Sequence, residues 1–120
     1  MDEIPEGCLR GERVKPDAIR VSETYDIKVM GVGRAHVTVS RYPHGDPCEI
    51  FINVSKVGSD LRTSFEAWAM MASKALQYGV PMDAVARTIR GIRSDHGGKI
   101  QGGGEATSLW DAIAQELENA

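Results

Sequence analysis

Glu49-Ile50-Phe51-Ile52-Asn53-Val54 runs into Ser55-Lys56-Val57-Gly58-Ser59-Asp60, and then Leu61, Phe65, Trp68, Ala72 and Leu76 follow at three- and four-residue steps. The apolar period changes from two to that of a helix across one glycine turn. That change decides the fold class. Before the turn the chain reads as strands, and after it as helices. Upstream, Tyr25, Ile27 and Val29 alternate with Asp26, Lys28 and Met30, which predicts a strand. Gly31-Val32-Gly33 ends it. Ala35, Val37 and Val39 alternate with His36, Thr38 and Ser40 as a second, β-branched strand. Pro43-His44-Gly45-Asp46-Pro47 is a turn. Glu49–Val54 is the third strand, and Phe51 on its second side suggests that both sheet faces are at least partly covered.

Downstream, Ser59 or Asp60 is the expected N-cap of the first helix, and Gly79-Val80-Pro81 closes it. A second helix is expected over Met82–Arg90, with Met82, Val85 and Ile89 inward and Gly91 as its stop. Residues 94–106 read as a flexible glycine-rich loop. Ser108 to Asp111 is a variant capping box, opening a last helix that carries Ile113 and Leu117 to the core. The prediction is α+β: an antiparallel three-stranded meander, then two to three helices packed on the sheet. Residues 1–18 are a polar N-terminal arm, and 19–120 form a single domain.

The chain has 120 residues, the size of one domain. Glycine is high at 13 residues, against a usual roughly 7%. No apolar run approaches a membrane span, and the acidic start, Met1-Asp2-Glu3-Ile4-Pro5-Glu6-Gly7, is not expected to be a secretory signal. A net charge of −3 lacks the bulk basic footprint of a non-specific nucleic-acid binder and suits a cytoplasmic protein. Cys8 and Cys48 lie far apart, with unpaired thiols the better reading, and with His36, His44 and His96 they do not make a zinc site by spacing.

Two stretches are competent for anions, and a third is a candidate lid. Lys56-Val57-Gly58-Ser59-Asp60 leads a strand into a helix N-terminus, where N–H groups and the dipole favour negative charge. Lys56, Gly58, Ser59 and Arg62 are its candidate ligand-binding residues, although Asp60 could fill the anion position itself. Arg87, Arg90, Arg93 and Lys99 surround the second helix end; they form either a solvated face or a fork for phosphate or carboxylate. The loop Gly97–Gly104, including Gly102, is either a lid or a plain connection. Asp95-His96 is a poor acid/base pair, since neighbours rarely point together. Trp68 and Trp110 read as core or interface rather than stacking platforms.

From about Lys15 to residue 118 the chain resembles the TSCPD domain, found at the C-terminal end of many cobalamin-dependent ribonucleotide reductases and in free-standing proteins. The resemblance is carried by Tyr25-Asp26-Ile27-Lys28, Gly31-Val32-Gly33, Ala35-His36-Val37-Thr38-Val39 and above all Glu49 to Ser59. It continues in Ala75-Leu76-Gln77-Tyr78-Gly79-Val80-Pro81, Arg90-Gly91-Ile92-Arg93 and Thr107-Ser108-Leu109-Trp110-Asp111-Ala112-Ile113-Ala114. The family's Thr-Ser-Cys-Pro-Asp is here Thr107-Ser108-Leu109-Trp110-Asp111. Reductase-linked members also tend to carry cysteines where Val32 and Ser94 stand. Valine, leucine and serine cannot replace thiolate ligands, so the resemblance implies the scaffold without the metal or redox role.

The chain lacks the barrel, radical site and catalytic cysteines of a reductase, so it is not expected to be an enzyme, and neither cofactor nor metal is expected. The leading expectation is a non-catalytic module for an anionic, nucleotide-like small molecule, using Lys56, Gly58, Ser59, Arg62, Arg90, Arg93, Lys99 and Gly102. By analogy with small phage proteins that sequester signalling nucleotides from host defence, it would act as a sponge. The alternative is an accessory or protein-interaction domain related to ribonucleotide reductase. A homodimer is expected, because a short meander leaves edges that need cover.

Overall fold

Alternation of apolar and polar residues through Tyr25–Val29, Ala35–Val39 and, with the exception of Phe51, Ile50–Val54 puts every second side chain on one face, and that face is where the core forms. A computed structural model describes residues 11–55 and 57–120 of the chain. Strands β1 (Val21–Val29), β2 (Gly33–Arg41) and β3 (Pro47–Ser55) form an antiparallel meander in the order β1-β2-β3. Helices α1 (Ser59–Gln77) and α2 (Met82–Arg87) follow, then a small hairpin, β4 (Gly98–Lys99) and β5 (Glu105–Ala106), and helix α3 (Leu109–Glu118). The α+β architecture is the one expected. Among the described residues no helix is long and apolar enough to cross a membrane.

Ile27, Val29, Ala35, Val37, Val39, Ile50, Ile52 and Val54 line the buried face of the sheet. Helix α1 lies along β3, α3 lies against β1 and β2, and α2 packs on α3. Phe65, Ala72 and Leu76 of α1, Met82, Val85 and Ile89 of α2, and Ile113 and Leu117 of α3 complete the core. The opposite face is open. Phe51 stands there 53% exposed among threonines and charged residues, so its apolar character does not signal a second covering layer.

Three local expectations change. Pro47 belongs to β3, opposite Arg41, where it is the first strand residue and its missing N–H costs little. Regular α2 ends at Arg87 instead of Arg90, and a turn carries the chain to Gly91, whose φ of 82° reverses it. The glycine-rich segment forms a small paired hairpin in place of an irregular loop. Gly98 and Lys99 pair with Ala106 and Glu105, Ile100 bridges Val29, and Gln101 N donates to the Lys28 carbonyl. A Cβ on Gly98 would sit 2.7 Å from the Met30 carbonyl oxygen, so close backbone approach demands glycine there.

Both sheet edges are managed by side chains and loops. On β3 the Ser73 hydroxyl of α1 accepts from Ile50 N at 2.9 Å and lies within hydrogen-bond reach of the Ile50 carbonyl. Gln77 Nε2 donates to the Cys48 carbonyl, and Gln77 also receives Arg13 and the Val14 N–H, which ties down residues 13–14 of the arm. Cys48 is a buried thiol donating to the Ser40 carbonyl, and burial raises its pKa. Cys8, and with it any pairing to Cys48, lies outside the described residues. On β1 the hairpin covers only the end near Lys28 and Met30.

Removing the Ser73 hydroxyl takes away the hydrogen-bond acceptor of the N–H of buried Ile50. Ser73→Ala is expected to destabilise the protein by about 1–2 kcal/mol, measured as a lowered urea midpoint with unchanged slope.

Candidate functional site

Ser108 caps α3: its hydroxyl accepts from Asp111 N at 3.0 Å. In a reciprocal capping box the Asp111 carboxylate would return to the Ser108 N–H. It turns elsewhere. Asp111 Oδ1 accepts from Gly91 N at 2.7 Å and from Arg90 Nη1 at 2.6 Å, while Oδ2 accepts from Thr107 N and Gln115 Nε2 at 3.1 Å each. Ser108 and Thr107 hydroxyls both donate to the Ile92 carbonyl, and Ser94 N donates to the Thr107 carbonyl. One buried carboxylate therefore joins the end of the α2 turn to the start of α3. Burial pushes the Asp111 pKa up, but the Gly91 and Thr107 N–H groups, Arg90 and Gln115 outweigh it and hold the carboxyl below its usual range.

Beside this joint, the start of α1 opens on a cavity of about 400 Å³. Val32, Val57, Leu61, Phe65, Leu109 and Trp110 give it apolar walls, and Gly31, Gly58, Ser94, His96 and Ser108 complete the lining. Phe65 and Trp110 stack with ring centroids 3.9 Å apart, and Trp68 meets Trp110 edge-on while its Nε1 donates to Thr88 Oγ1. Gly58, in extended conformation, is the N-cap of α1, and no side chain caps it. Ser59 and Asp60 are already in the first turn, so neither is the cap that the sequence suggests. The first-turn N–H groups thus have no cap side chain, with Asp60 alone opposing an anion there.

The expected site residues divide. Gly58 lines the cavity, and Ser59 begins the helix beside it. Arg62 and Arg93 are exposed, form no ion pair among the described residues, and do not line it. Arg90 is held by Asp111 and, at 3.5 Å, by Glu118, and Arg87 pairs with Asp83. Lys99 is an exposed residue of β4, and Gly102 stands at φ 99° in the hairpin turn. Lys56 lies outside the described residues. What sequence reasoning missed as a lining is Leu61, taken there as core and in fact 41% exposed, together with Ser94 and His96. The signal for the place was present, however: Val32, Ser94 and Leu109, the three positions where the resemblance implies cysteine, all line this one cavity. Among the described residues no group of three or more His, Cys, Asp or Glu side chains could hold a metal ion.

A meander backed by helices, with a carboxylate-tied joint beside a cavity, defines a small α+β domain. The profile of the TSCPD domain matches residues 12–120, and the chain belongs to that family. A vitamin B12-dependent ribonucleotide reductase of Bradyrhizobium diazoefficiens is 34% identical over 92 residues, covering 74% of this chain and 7% of that protein. The corresponding reductase of Rhodopirellula baltica is 36% identical over 76 residues, covering 63% of this chain and 7% of its own length. The chain thus spans about 7% of the length of these relatives. No solved structure matches it significantly.

Because the native Asp111 pKa is lowered, the ionised carboxylate adds stability at neutral pH. That contribution is complete above the unfolded carboxyl value of about 3.9 and disappears as pH falls through the lower native value. Asp111→Asn is expected to cost about 3 kcal/mol at pH 7, since it leaves the Arg90 charge and its N–H neighbours poorly matched. Denaturant titrations between about pH 5 and pH 2 should show a shallower loss of stability in the variant than in the wild type.

Proposed function

We propose that this chain is a non-catalytic binding module whose cavity at the start of α1 takes an anionic, nucleotide-like small molecule. The observation that carries the reading is the cavity itself, with apolar walls and the uncapped start of α1 at its edge; the resemblance implies thiolates at Val32, Ser94 and Leu109 in its lining. Replacing thiolates by apolar and hydroxyl groups leaves a site suited to a flat organic group with a few polar contacts. Its volume of about 400 Å³ falls within the range of small-molecule pockets. The α1 N-terminus at Gly58 supplies a positive dipole end at the cavity wall. Binding of this kind would act by sequestration, lowering the free ligand without altering it.

Calorimetry of the wild type with a panel of nucleotides and cyclic nucleotide signals is expected to find a member with Kd below about 1 mM, roughly −4 kcal/mol. Leu61→Trp fills the cavity from a half-exposed position and should weaken that binding at least about tenfold, or 1.4 kcal/mol. A panel with no binder overturns the reading.

The second reading is an accessory domain that docks on a ribonucleotide reductase. Met70 and Met71, 68% and 69% exposed, and the half-exposed Phe51 favour it, since Phe51 and Met70 flank one groove between β3 and α1. Loss of reductase capture from native lysate by Met70→Asp/Met71→Asp, with nucleotide binding unchanged, would support it over sequestration.

We also propose that β1 pairs with its copy in a homodimer. Lys28 O and Met30 N are engaged by the hairpin on the outer edge. By alternation the main-chain groups of Ser22, Thr24 and Asp26 point the same way. A two-fold axis at Thr24 opposes Ser22 to Asp26 and Val21 to Ile27, sets no like charges opposite one another along Val21–Ile27, and covers the exposed Val21. Light scattering should give a dimer mass for the wild type and a monomer mass for Thr24→Pro, which removes the central outward N–H and no ladder bond to β2. A monomeric wild type at high concentration contradicts the pairing.

A further inference from the structure

On the open face of the sheet, Lys28 of β1 and Arg34 of β2 stand directly opposite one another in register. Like charges so placed repel, and a sheet gains nothing from them. Lys28 has no carboxylate within ion-pair distance among the described residues. Arg34 has only Asp26, at 3.4 Å, which it shares with His36. Both cations line a second cavity of about 360 Å³, together with Val29, Gly31, Val32, Gly33 and Ser55. Ile100 bridges the buried Val29 and packs toward the core, so alternation puts Lys99 on the same open face as Lys28, with Glu105 opposite it.

Gly31 and Val32 belong to the lining of both cavities. The turn between β1 and β2 is therefore a shared wall, with the apolar cavity on one side and the Lys28–Arg34 pair on the other. We propose that Lys28 and Arg34 form a phosphate-binding site, receiving the phosphate of a small-molecule anion whose organic part lies across the turn. For the organic part this rests on the reading above; for the phosphate it rests on the cation pair alone. A phosphate between the two side chains would turn their mutual repulsion into two charge-assisted contacts, with Arg34 able to present two N–H groups. The sites expected from the sequence at Arg90 and the α1 turn are then not the main source of positive charge. Arg90 is already neutralised by Asp111 and Glu118.

The experiment is calorimetry of the full chain with inorganic pyrophosphate, for the wild type, Lys28→Ala/Arg34→Ala, and Lys74→Ala/Arg87→Ala as a charge-matched control. The wild type should bind pyrophosphate in a salt-sensitive manner. The Lys28/Arg34 variant should lose at least about tenfold in affinity, and the control less than about twofold. The Lys28/Arg34 variant removes a repulsion together with the exposed Asp26–Arg34 pair, so its melting temperature without ligand should stay close to the wild type's, and lost binding is then not ascribed to unfolding. Absence of pyrophosphate binding to the wild type, or equal binding by the Lys28/Arg34 variant, overturns the proposal. Nucleotide binding that survives Lys28→Ala/Arg34→Ala but not Leu61→Trp removes this site and keeps the cavity reading. Pyrophosphate binding that needs Lys28 and Arg34, in a protein that binds no nucleotide, keeps this site and removes the other.

Discussion

The Asp111 carboxylate is the point where two stretches of backbone, distant in sequence, are held against each other. Gly91 N–H, Thr107 N–H, Arg90 and Gln115 all converge on its two oxygens, and its side chain is only 3% exposed. A buried carboxylate with fewer partners would be costly, since desolvation alone disfavours the charge. With four donors the charge is retained and the geometry is specified. The turn after α2, the start of α3 and the segment at Ser94 that enters the hairpin all take their positions from this joint. Leu109 and Trp110, which form one wall of the cavity, follow directly from it.

The sheet imposes the second constraint. Three strands have two edges and two faces, and only one face has helices on it. On edge β3 two side chains of α1 take up main-chain groups, Ser73 at Ile50 and Gln77 at Cys48. Edge β1 is closed only at one end, by the glycine-rich hairpin. The open face keeps threonines and charges, and it is there that Lys28 and Arg34 stand opposed. The features not required by the core are thus collected at the β1–β2 turn, with the cavity on the covered side and the cation pair on the open side.

Much of this was legible in the residues. The alternation through Tyr25–Val29, Ala35–Val39 and Ile50–Val54, the helical stripe from Phe65 to Leu76, and the stop at Gly79 each rest on local geometry that neighbours in sequence impose. The capping role of Ser108 was equally local. Phe51 misled because a single apolar side chain on a strand does not reveal whether another layer exists. The glycine-rich segment misled for a related reason. Glycines permit a loose loop, but they also permit the close backbone contact that Gly98 makes with Met30. Leu61 continued the apolar stripe by spacing, yet it stands 41% exposed in the lining of the cavity at the start of α1.

Sequence alone determined the fold class, the order of the three main strands and the helices, the family, and that Val32, Ser94 and Leu109 stand where the resemblance implies cysteine. These depend on residue type and short-range period. Only the tertiary structure decided that those three positions line one cavity, that Arg90 is committed to Asp111, and that Lys28 and Arg34 are direct cross-strand neighbours. Each of those facts is a distance between residues far apart in the chain or across a pleated register. Such distances are set by how the sheet, the helices and the Asp111 joint pack together, and no local pattern encodes them.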